Sequence, residues 1–326
     1  MPPYVYITRN IPEAGLALLR NRYELSVYES DRPIGKETLK QAVRRADALI
    51  SLLSDPIDAE LLDQAEQLKI IANYAVGYNN IDVAAALERR IMVTHTPGVL
   101  TNATAELAFS LIIALSRRVI EADRFTREGR FVGWDPLLLL GDELSGKTLG
   151  IIGMGRIGQS LAEKCRAFGM SVIYYNRKRL DETAEKALSA EYRALADLLA
   201  EADVISIHSP LTEETRHLIN REALSKVKPG ACLINTARGE IIDEAALAEA
   251  LSDGRLKGAG LDVYEQEPSV HPDLFNLENV ILLPHIGSAT VKTRENMAIM
   301  TAENVIAALE GKTPENLVPE MKPAFF

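Results

Sequence analysis

A glycine-rich turn between an apolar segment and a helix is the feature that most constrains the fold of this 326-residue chain. Gly153, Gly155 and Gly158 follow an apolar run and open a helix, with Arg156 and Ile157 between them. In a strand–turn–helix unit, the first glycine permits a tight turn and the second lets the backbone approach a pyrophosphate. The third glycine lets the helix pack against the strand, and the helix N-terminus favours an anion. The pattern therefore predicts that these five residues bind a dinucleotide.

The end of the next predicted strand bears on which dinucleotide is bound. An NAD site usually carries an acidic residue there for the ribose 2′-hydroxyl. This chain instead carries Asn176, Arg177, Lys178 and Arg179, called here the basic strand end. A 2′-phosphate would find charge-assisted partners among these residues, Arg177 above all. The alternative is a solvated strand end with a loose choice of cofactor, so we expect NADP(H) to be preferred and NAD(H) to be possible.

Three chemically active side chains follow three further predicted strands. Arg238, Glu267 and His285 each come after an apolar run, and the carboxyl ends of parallel strands are where such sheets bind ligands. A guanidinium can clamp a carboxylate, and an imidazole can give a proton to a carbonyl oxygen. A carboxylate on the other ring nitrogen fixes the imidazole tautomer. These residues are candidates for a catalytic group, although their spacing alone leaves a structural role equally open.

Short β-branched runs alternate with helical segments, which predicts parallel sheets covered by helices on both faces. The pair Pro97-Gly98 separates two such series. In the first series, strands are predicted at 4–7, 24–28, 48–51, 68–73 and 91–94. In the second series, strands are predicted at 148–152, 171–175, 203–207, 231–235, 259–263 and 280–283.

The helices predict how the domains are divided. One long helix is expected from about 102 to 127, capped by Thr101 or Asn102, and another helix is expected over 192–200. A last helix, from 289 to about 309, has no strand after it, so we expect it to return to the first domain. The predicted domains are a discontinuous one, comprising 1–100 and 289–326, and a dinucleotide-binding one, 101–288.

Composition limits the partners and the compartment. The chain has 36 Lys+Arg against 46 Asp+Glu, a net charge of −10, which argues against a nucleic-acid partner. Cys165 and Cys232 are too few for a disulfide framework. The first residues lack the pattern of a signal peptide, and no apolar run reaches the length of a membrane span. We therefore expect a soluble cytoplasmic protein without a membrane partner.

The remaining histidines do not predict a metal site. They are not spaced as metal ligands with one another or with cysteine, so we expect them to be structural or exposed. These residues are His95, His208, His217 and His271.

Over essentially its whole length, the chain resembles the D-isomer-specific 2-hydroxyacid dehydrogenase family. Several blocks in the family's order carry this resemblance, which makes it far more specific than the glycine turn alone. The blocks are Tyr74–Asn80, Gly153–Gly158, Asn235–Glu240, Gly260–Val263, Glu267-Pro268 and Pro284–Ala289. Within the family, Gly133–Pro136 and His285–Thr290 are most similar to glyoxylate/hydroxypyruvate reductases.

The resemblance implies an α/β fold of two doubly wound parallel-sheet domains, one a Rossmann dinucleotide-binding domain and the other a flavodoxin-like substrate domain. It implies that His285 is the proton donor, that Glu267 pairs with it, and that Arg238 binds the substrate carboxylate and carbonyl. The implied cofactor contacts also include Thr236, Ala237, Asp262 and Gly287.

The implied substrate contacts lie in several segments. The backbone N–H groups of Val76 and Gly77 bind the carboxylate, and Ser288 either helps to place His285 or caps the last helix. Members are usually homodimers. In related reductases the tryptophan at the Trp134 position reaches the active site of the partner subunit, which the resemblance implies for Trp134; the alternative is that Trp134 anchors its own loop.

The implied function is reduction of a small 2-oxo acid, glyoxylate or hydroxypyruvate, with NADPH as hydride donor. One alternative is another D-2-hydroxyacid dehydrogenase, such as D-3-phosphoglycerate dehydrogenase, which needs extra cations for its phosphate. An alternative of a different class is a dinucleotide-sensing corepressor, which no basic patch supports here. Residues 137–140, all leucine, depart from the aromatic residues of close relatives and leave the shape of the substrate pocket open.

Overall fold

The computed structural model describes residues 2–325, which divide into two units. Within these residues, the first unit runs to Leu100 and resumes at Ser288, and the second unit is Thr101–Gly287. The sequence prediction sets the return of the chain one residue later, at 289.

The first unit contains a five-stranded sheet whose paired strands are all parallel. Its strand order is 2-1-3-4-5, and this order changes direction between the first and third strands, as in flavodoxin-like sheets. The strands are β1 Tyr4–Ile7, β2 Glu24–Val27, β3 Ala48–Ser51, β4 Ile70–Asn73 and β5 Met92–Thr94. The helices between them are α1 Glu13–Arg20, α2 Lys36–Val43, α3 Ala59–Leu62 and α4 Val83–Glu88.

The second unit contains a seven-stranded sheet, again with parallel pairs throughout. Its helices are α5 Thr101–Ser116, α6 Val119–Arg127, α7 Arg156–Ala167, α8 Glu182–Leu188, α9 Leu195–Glu201, α10 Arg221–Ser225 and α11 Glu244–Ser252. Its strands are β6 Thr148–Ile152, β7 Ser171–Tyr175, β8 Ala190–Tyr192, β9 Val204–Ile207, β10 Ala231–Asn235, β11 Leu256–Leu261 and β12 Val280–Leu282.

The order of these strands identifies the second sheet as Rossmann-like. The order β12-β11-β10-β9-β6-β7-β8 changes direction between β6 and β9, so a crevice opens at the carboxyl ends of those two strands. The central strands are buried except for the first residue of β6, Thr148, as the near-continuous apolar runs of a sheet covered on both faces require. The predicted fold class, with two doubly wound parallel sheets, is confirmed.

The single long helix predicted over 102–127 is wrong, because the chain breaks between α5 and α6. Arg118 takes a left-handed conformation, with φ 53°, and ends the helical path. The carbonyl of Ser116, near the end of α5, accepts a hydrogen bond from the Asp142 amide at 2.8 Å. The predicted cap is also wrong: Thr101 is already helical, and the Asn102 side chain bonds Glu106 instead.

Two further elements differ from the prediction. The helix expected over 192–200 begins only at Leu195, since Ala190–Tyr192 pairs with β7 as a strand. The strand expected over 259–263 lies at Leu256–Leu261 and contains Gly258 and Gly260. Glycine usually marks a weakened strand or a close approach, and a Cβ on Gly260 would lie 3.1 Å from the Leu111 Cβ of α5.

The last long helix, α12 Val291–Leu309, packs against α1 within the first unit. The contact is close: a Cβ on Gly15 would lie 2.5 Å from the Ala298 carbonyl oxygen. Thr290 caps this helix by accepting a hydrogen bond from the Thr293 amide, so Ser288 is not the cap. A short helix, α13 Lys322–Phe325, follows. Within residues 2–325, no helix combines the length and the apolar content that crossing a bilayer needs.

Candidate active site

The glycine turn, residues 153–158, lies at the crevice between β6 and β9. Gly153 adopts φ +99°, and a Cβ there would lie 2.5 Å from the Ser209 amide nitrogen, so only glycine fits this crossing of two loops. Gly155 is exposed and precedes α7 without a side-chain cap, and a Cβ there would meet nothing within 4 Å. Arg156, Ile157 and Gly158 form the first turn of α7. The helix N-terminus is therefore open to an anionic group.

Buried polar atoms beside this turn fit a dinucleotide. The Oγ of Ser209, the Oγ1 of Thr236 and the Nδ1 of His208 are buried and have no hydrogen-bond partner within residues 2–325. They follow β9 and β10, at the same end of the sheet as the glycine turn. Buried polar groups normally have partners, so a ligand with several hydrogen-bonding groups suits this edge. Ala237, also predicted to contact the cofactor, donates its amide proton to the Asn235 side chain at 3.0 Å.

The structure gives the members of the basic strand end different surroundings. Asn176 accepts a hydrogen bond from the Met154 amide at 2.7 Å and so holds the glycine turn. Arg179 donates to both carboxylate oxygens of Glu185, which lowers the pKa of Glu185 to about 2. Arg177 and Lys178 are exposed. Of the three cations, Arg179 is thus already paired with a carboxylate.

Glu267 and His285 form a hydrogen-bonded pair. The Nδ1 atom of His285 lies 2.8 and 3.1 Å from the two carboxylate oxygens of Glu267. An ionised carboxylate can only accept, so Nδ1 carries the proton and Nε2 is the nitrogen that can exchange a proton with a substrate. The side chains are 26% and 29% exposed, which leaves the pair accessible to a small molecule.

The backbone around His285 is held in an uncommon conformation. His285 has φ 55°, in the left-handed region that non-glycine residues rarely adopt. The two carboxylate oxygens of Asp262 accept hydrogen bonds from the amides of Ile286 and Gly287, each at 2.7 Å. Thr104 donates to the Gly287 carbonyl at 3.2 Å. Burial raises the pKa of Asp262. Asp262 and Gly287 are predicted as cofactor contacts. In the structure, the hydrogen bonds from the Ile286 and Gly287 amides to Asp262 fix the backbone that directly follows His285.

Arg238 lies within electrostatic reach of the Glu267 carboxylate. Asn235 donates its side-chain amide to the Arg238 carbonyl at 2.8 Å, and the Arg238 guanidinium donates to the Ala237 carbonyl at 2.7 Å. Burial lowers the pKa of Arg238, while the charge of Glu267 acts in the opposite direction. The structure therefore brings Arg238, Glu267 and His285 together from three strand ends.

The Val76-Gly77 loop follows β4 in the first unit. Asn73 donates its side-chain amide to the Gly77 carbonyl at 2.8 Å, and Nδ1 of His95 lies 2.9 Å from the Val76 carbonyl. Within residues 2–325, the amides of Val76 and Gly77 have no acceptor, so they are suited to an anionic group. Neither Asn73 nor His95 is among the predicted site residues. A polar residue that closes an apolar strand, as Asn73 closes β4, is the signal that could have found it.

The other two predicted substrate contacts are Ser288 and Trp134. Among the described residues, no hydrogen bond joins either of them to Glu267 or His285. The Ser288 carbonyl accepts a hydrogen bond from the Thr290 amide. Trp134 is 84% exposed in a loop whose neighbour Val132 is 97% exposed, and Leu137 of the same loop is 76% exposed. We call residues 131–140 the apolar loop.

The residues predicted to be structural are mostly packed or paired. Cys165 and Cys232 are buried, which raises the pKa of the two thiols to about 12 and 11. His208 bonds Ser206 at 2.8 Å, and burial lowers the pKa of His208 to about 4. His217 bonds Glu265 at 2.7 Å. In the described part of the chain, no three His, Cys, Asp or Glu side chains are grouped so that they could hold a metal ion.

Comparison with known proteins agrees with this geometry. Residues 109–287 match the model of the D-isomer specific 2-hydroxyacid dehydrogenase NAD binding domain. The chain is 52% identical over 322 residues to a glyoxylate reductase from Thermococcus litoralis, covering 98% of this chain and 97% of that protein.

Solved structures show the same likeness. A glyoxylate reductase from Paecilomyes thermophila is 36% identical with a TM-score of 0.87, covering 98% of this chain and 99% of the other. An NADPH-dependent glyoxylate/hydroxypyruvate reductase from Sinorhizobium meliloti, in complex with NADP and malonate, is 32% identical with a TM-score of 0.86, and 98% of each chain is covered.

The fold and these comparisons define an oxidoreductase that acts on CH–OH groups with a nicotinamide dinucleotide. The chain belongs to the D-isomer specific 2-hydroxyacid dehydrogenase family. The predicted family is confirmed.

Proposed function

We propose that this protein reduces glyoxylate, and hydroxypyruvate in the same site, to the corresponding 2-hydroxy acids with NADPH. The observation that carries the proposal is the Glu267–His285 hydrogen bond beside a buried guanidinium, that of Arg238. A proton donor and a carboxylate clamp are what a small 2-oxo acid requires. The names of the Thermococcus litoralis and Paecilomyes thermophila relatives support glyoxylate as the substrate.

The residues of the group have distinct tasks in this proposal. When bound, the reduced dinucleotide supplies the hydride that C2 of the 2-oxo acid gains. In the second unit, Arg238 binds the substrate carboxylate and polarises its carbonyl. In the first unit, the amides of Val76 and Gly77 are the proposed carboxylate donors. Nε2 of His285 gives its proton to the carbonyl oxygen, and Glu267 stabilises the imidazolium before that transfer. General acid catalysis of this kind typically contributes about 10²–10⁴-fold to the rate.

The choice of NADPH rests on the basic strand end. It carries no acid that would repel a 2′-phosphate, and Arg177 and Lys178 are exposed there. The NADPH-dependent relative from Sinorhizobium meliloti supports the same choice. NAD(H) remains a permitted cofactor, since the glycine turn itself does not distinguish the two dinucleotides.

The proposal includes a homodimer formed through the apolar loop. Phe131, Trp134, Leu137 and Leu140 are all exposed in the single chain. Of these, Leu137 and Leu140 line an open groove of about 850 Å³, together with Phe125, Leu138 and Leu139. Soluble proteins rarely leave large apolar patches in water, and a two-fold pair buries the same patch on both copies.

One panel of assays tests the activity. Oxidation of NADPH and NADH is followed side by side with glyoxylate, hydroxypyruvate and pyruvate, and D-3-phosphoglycerate is tested in the reverse direction. We expect the highest kcat/KM with glyoxylate or hydroxypyruvate and NADPH. Preference for pyruvate or phosphoglycerate would indicate another D-2-hydroxyacid dehydrogenase, and absence of turnover with every substrate would refute an enzymatic role.

A further inference from the structure

Tyr264 contacts both elements that carry the Glu267–His285 pair. It lies in the loop after β11, and its side chain is buried, with 7% of its surface exposed. Its amide donates to Oε1 of Glu267 at 3.1 Å. Its phenol oxygen lies 2.7 Å from the carbonyl of Leu283, a residue that directly follows β12 and precedes His285 by two positions. One residue therefore bonds the carboxylate and the backbone that carries the imidazole.

The third member of the group packs against the same residue. Gly239 follows Arg238, and a Cβ on Gly239 would lie 1.8 Å from the Tyr264 carbonyl carbon and 2.3 Å from the Glu265 amide nitrogen. No side chain could be accommodated there without moving the backbone. The Arg238-Gly239 segment and the Tyr264–Glu265 peptide are therefore in direct contact, and a shift of one segment displaces the other.

The phenol of Tyr264 is a donor at every ordinary pH. Burial raises the pKa of Tyr264 to about 12, and the nearby charges of Asp262 and Glu267 act in the same direction. A protonated hydroxyl facing a main-chain carbonyl can donate its hydrogen bond to it. The bond to Leu283 thus anchors the chain before His285, and Asp262 anchors it afterwards through the amides of Ile286 and Gly287.

We propose that Tyr264 is a positioning residue, whose phenol–Leu283 hydrogen bond keeps His285 aligned with Glu267 while its own amide fixes that carboxylate. The inference rests on the proposed function only in taking His285 as the proton donor. A left-handed residue such as His285 needs support on both sides to persist. The phenol supplies this support on the side that Asp262 does not reach.

The test is Tyr264→Phe, which removes only the hydroxyl. Tyr74→Phe is the matched control, because its buried phenol also lies 2.7 Å from a main-chain carbonyl, that of Arg294 in the first unit. Loss of one such bond corresponds to about a three- to tenfold change in a rate that depends on it. We expect Tyr264→Phe to lower kcat by this factor, with KM for glyoxylate and the Kd of NADPH within about twofold. An equal fall in kcat for Tyr74→Phe would overturn the proposal.

A double-mutant cycle shows whether the hydroxyl acts through the pair. In a Glu267→Gln background the alignment is already lost, so Tyr264→Phe should lower kcat by much less than in the wild type. Equal factors in both backgrounds would mean that the hydroxyl acts elsewhere, and the positioning role would be wrong.

The ring of His285 supplies a readout that needs no substrate. In ¹⁵N-histidine-labelled protein without cofactor, at a pH high enough for the imidazole to be neutral and with the signal assigned through His285→Asn, the wild-type ring should show the tautomer with protonated Nδ1 and unprotonated Nε2. Tyr264→Phe should move both ¹⁵N shifts towards a mixture of tautomers, and unchanged shifts would contradict the proposal. If the wild type reduced no 2-oxo acid, the proposed function would fail, but this comparison would still decide the role of Tyr264.

Discussion

Arg179 donates from Nε and Nη2 to the two carboxylate oxygens of Glu185, at 2.7 Å each. The phenol of Tyr174 donates to the same carboxylate at 2.6 Å. A guanidinium held in this bidentate way is fixed in orientation, and two of its five N–H groups are engaged. Sequence reasoning names Arg177, Lys178 and Arg179 as candidates for a 2′-phosphate, Arg177 above all, and in the structure Arg177 and Lys178 are exposed while Arg179 is paired with Glu185.

The first prediction concerns which residue of the basic strand end selects NADPH over NADH. Arg177→Ala should raise the KM for NADPH by about tenfold or more, because a charge-assisted bond to the 2′-phosphate is lost, and should leave the KM for NADH almost unchanged. Steady-state kinetics with both cofactors measures this. Arg179→Ala is the comparison variant and should affect the NADPH KM less. A larger effect at Arg179 would show that this residue leaves Glu185 to bind the cofactor.

The second prediction concerns the proton donor. His285→Asn should lower kcat by about 10²-fold or more, because general acid catalysis is lost, while the Kd of NADPH changes by less than about twofold. Glu267→Gln should have a smaller effect, because the imidazole remains but its tautomer is no longer fixed by a charge. Rapid-mixing kinetics and a fluorescence titration give the two quantities. If His285→Asn kept wild-type turnover, the assignment of the acid would be wrong.

The features that the sequence could predict are those that local pattern determines. The glycine turn, the alternation of strands and helices, and the positions of Arg238, Glu267 and His285 after apolar runs can all be recognised within short windows. Parallel strands bring their carboxyl ends to one edge of a sheet, so residues far apart in the chain become candidates for one site. The family resemblance added the roles of these residues.

The features that could not be predicted depend on contacts between distant segments. The break at Arg118 goes with the return of Gly141 and Asp142 to the end of α5, which no helical periodicity indicates. The Asp262 contacts with the amides after His285 depend equally on how β11 and β12 lie beside each other. The predicted start of β11 lies too late in the chain. Its glycines take part in backbone pairing but do not give the β-branched pattern by which a strand is recognised.

The third prediction concerns the pH dependence of folding through His208. Its pKa is lowered to about 4 by burial, against a reference value of 6.5. Between these values the unfolded chain binds a proton that the folded chain does not, so stability present above pH 6.5 is lost as the pH falls towards 4. The loss from this group is on the order of 3 kcal/mol.

Chemical denaturation at a series of pH values tests this prediction. His208→Gln should remove this part of the acid sensitivity while keeping a partner for Ser206, so the unfolding free energies of variant and wild type should converge as the pH falls. The other titrating groups are common to both proteins and cancel in the difference. Parallel curves over this range would show that the imidazole titrates alike in the folded and unfolded chains.

The fourth prediction concerns assembly through the apolar loop. Leu137 is 76% exposed, whereas Phe275, elsewhere in the second unit, is 66% exposed and lies outside the loop. If two copies bury the loop, Leu137→Asp places a charge in an apolar interface and should convert the dimer to a monomer, because an unpaired charge is costly to bury. Phe275→Asp adds the same charge to a surface that stays in water and should leave the dimer intact.

Sedimentation velocity at micromolar concentration distinguishes these outcomes, and kinetics then determines the role of Trp134. Trp134→Ala should keep the dimer but raise the KM for glyoxylate if the indole lines the partner's site, because the apolar contact with substrate is lost while Leu137 still holds the copies together. An unchanged KM would mean that Trp134 only anchors its own loop. A wild-type monomer would mean that the exposed leucines serve a different contact, and the dimer proposal would then be withdrawn.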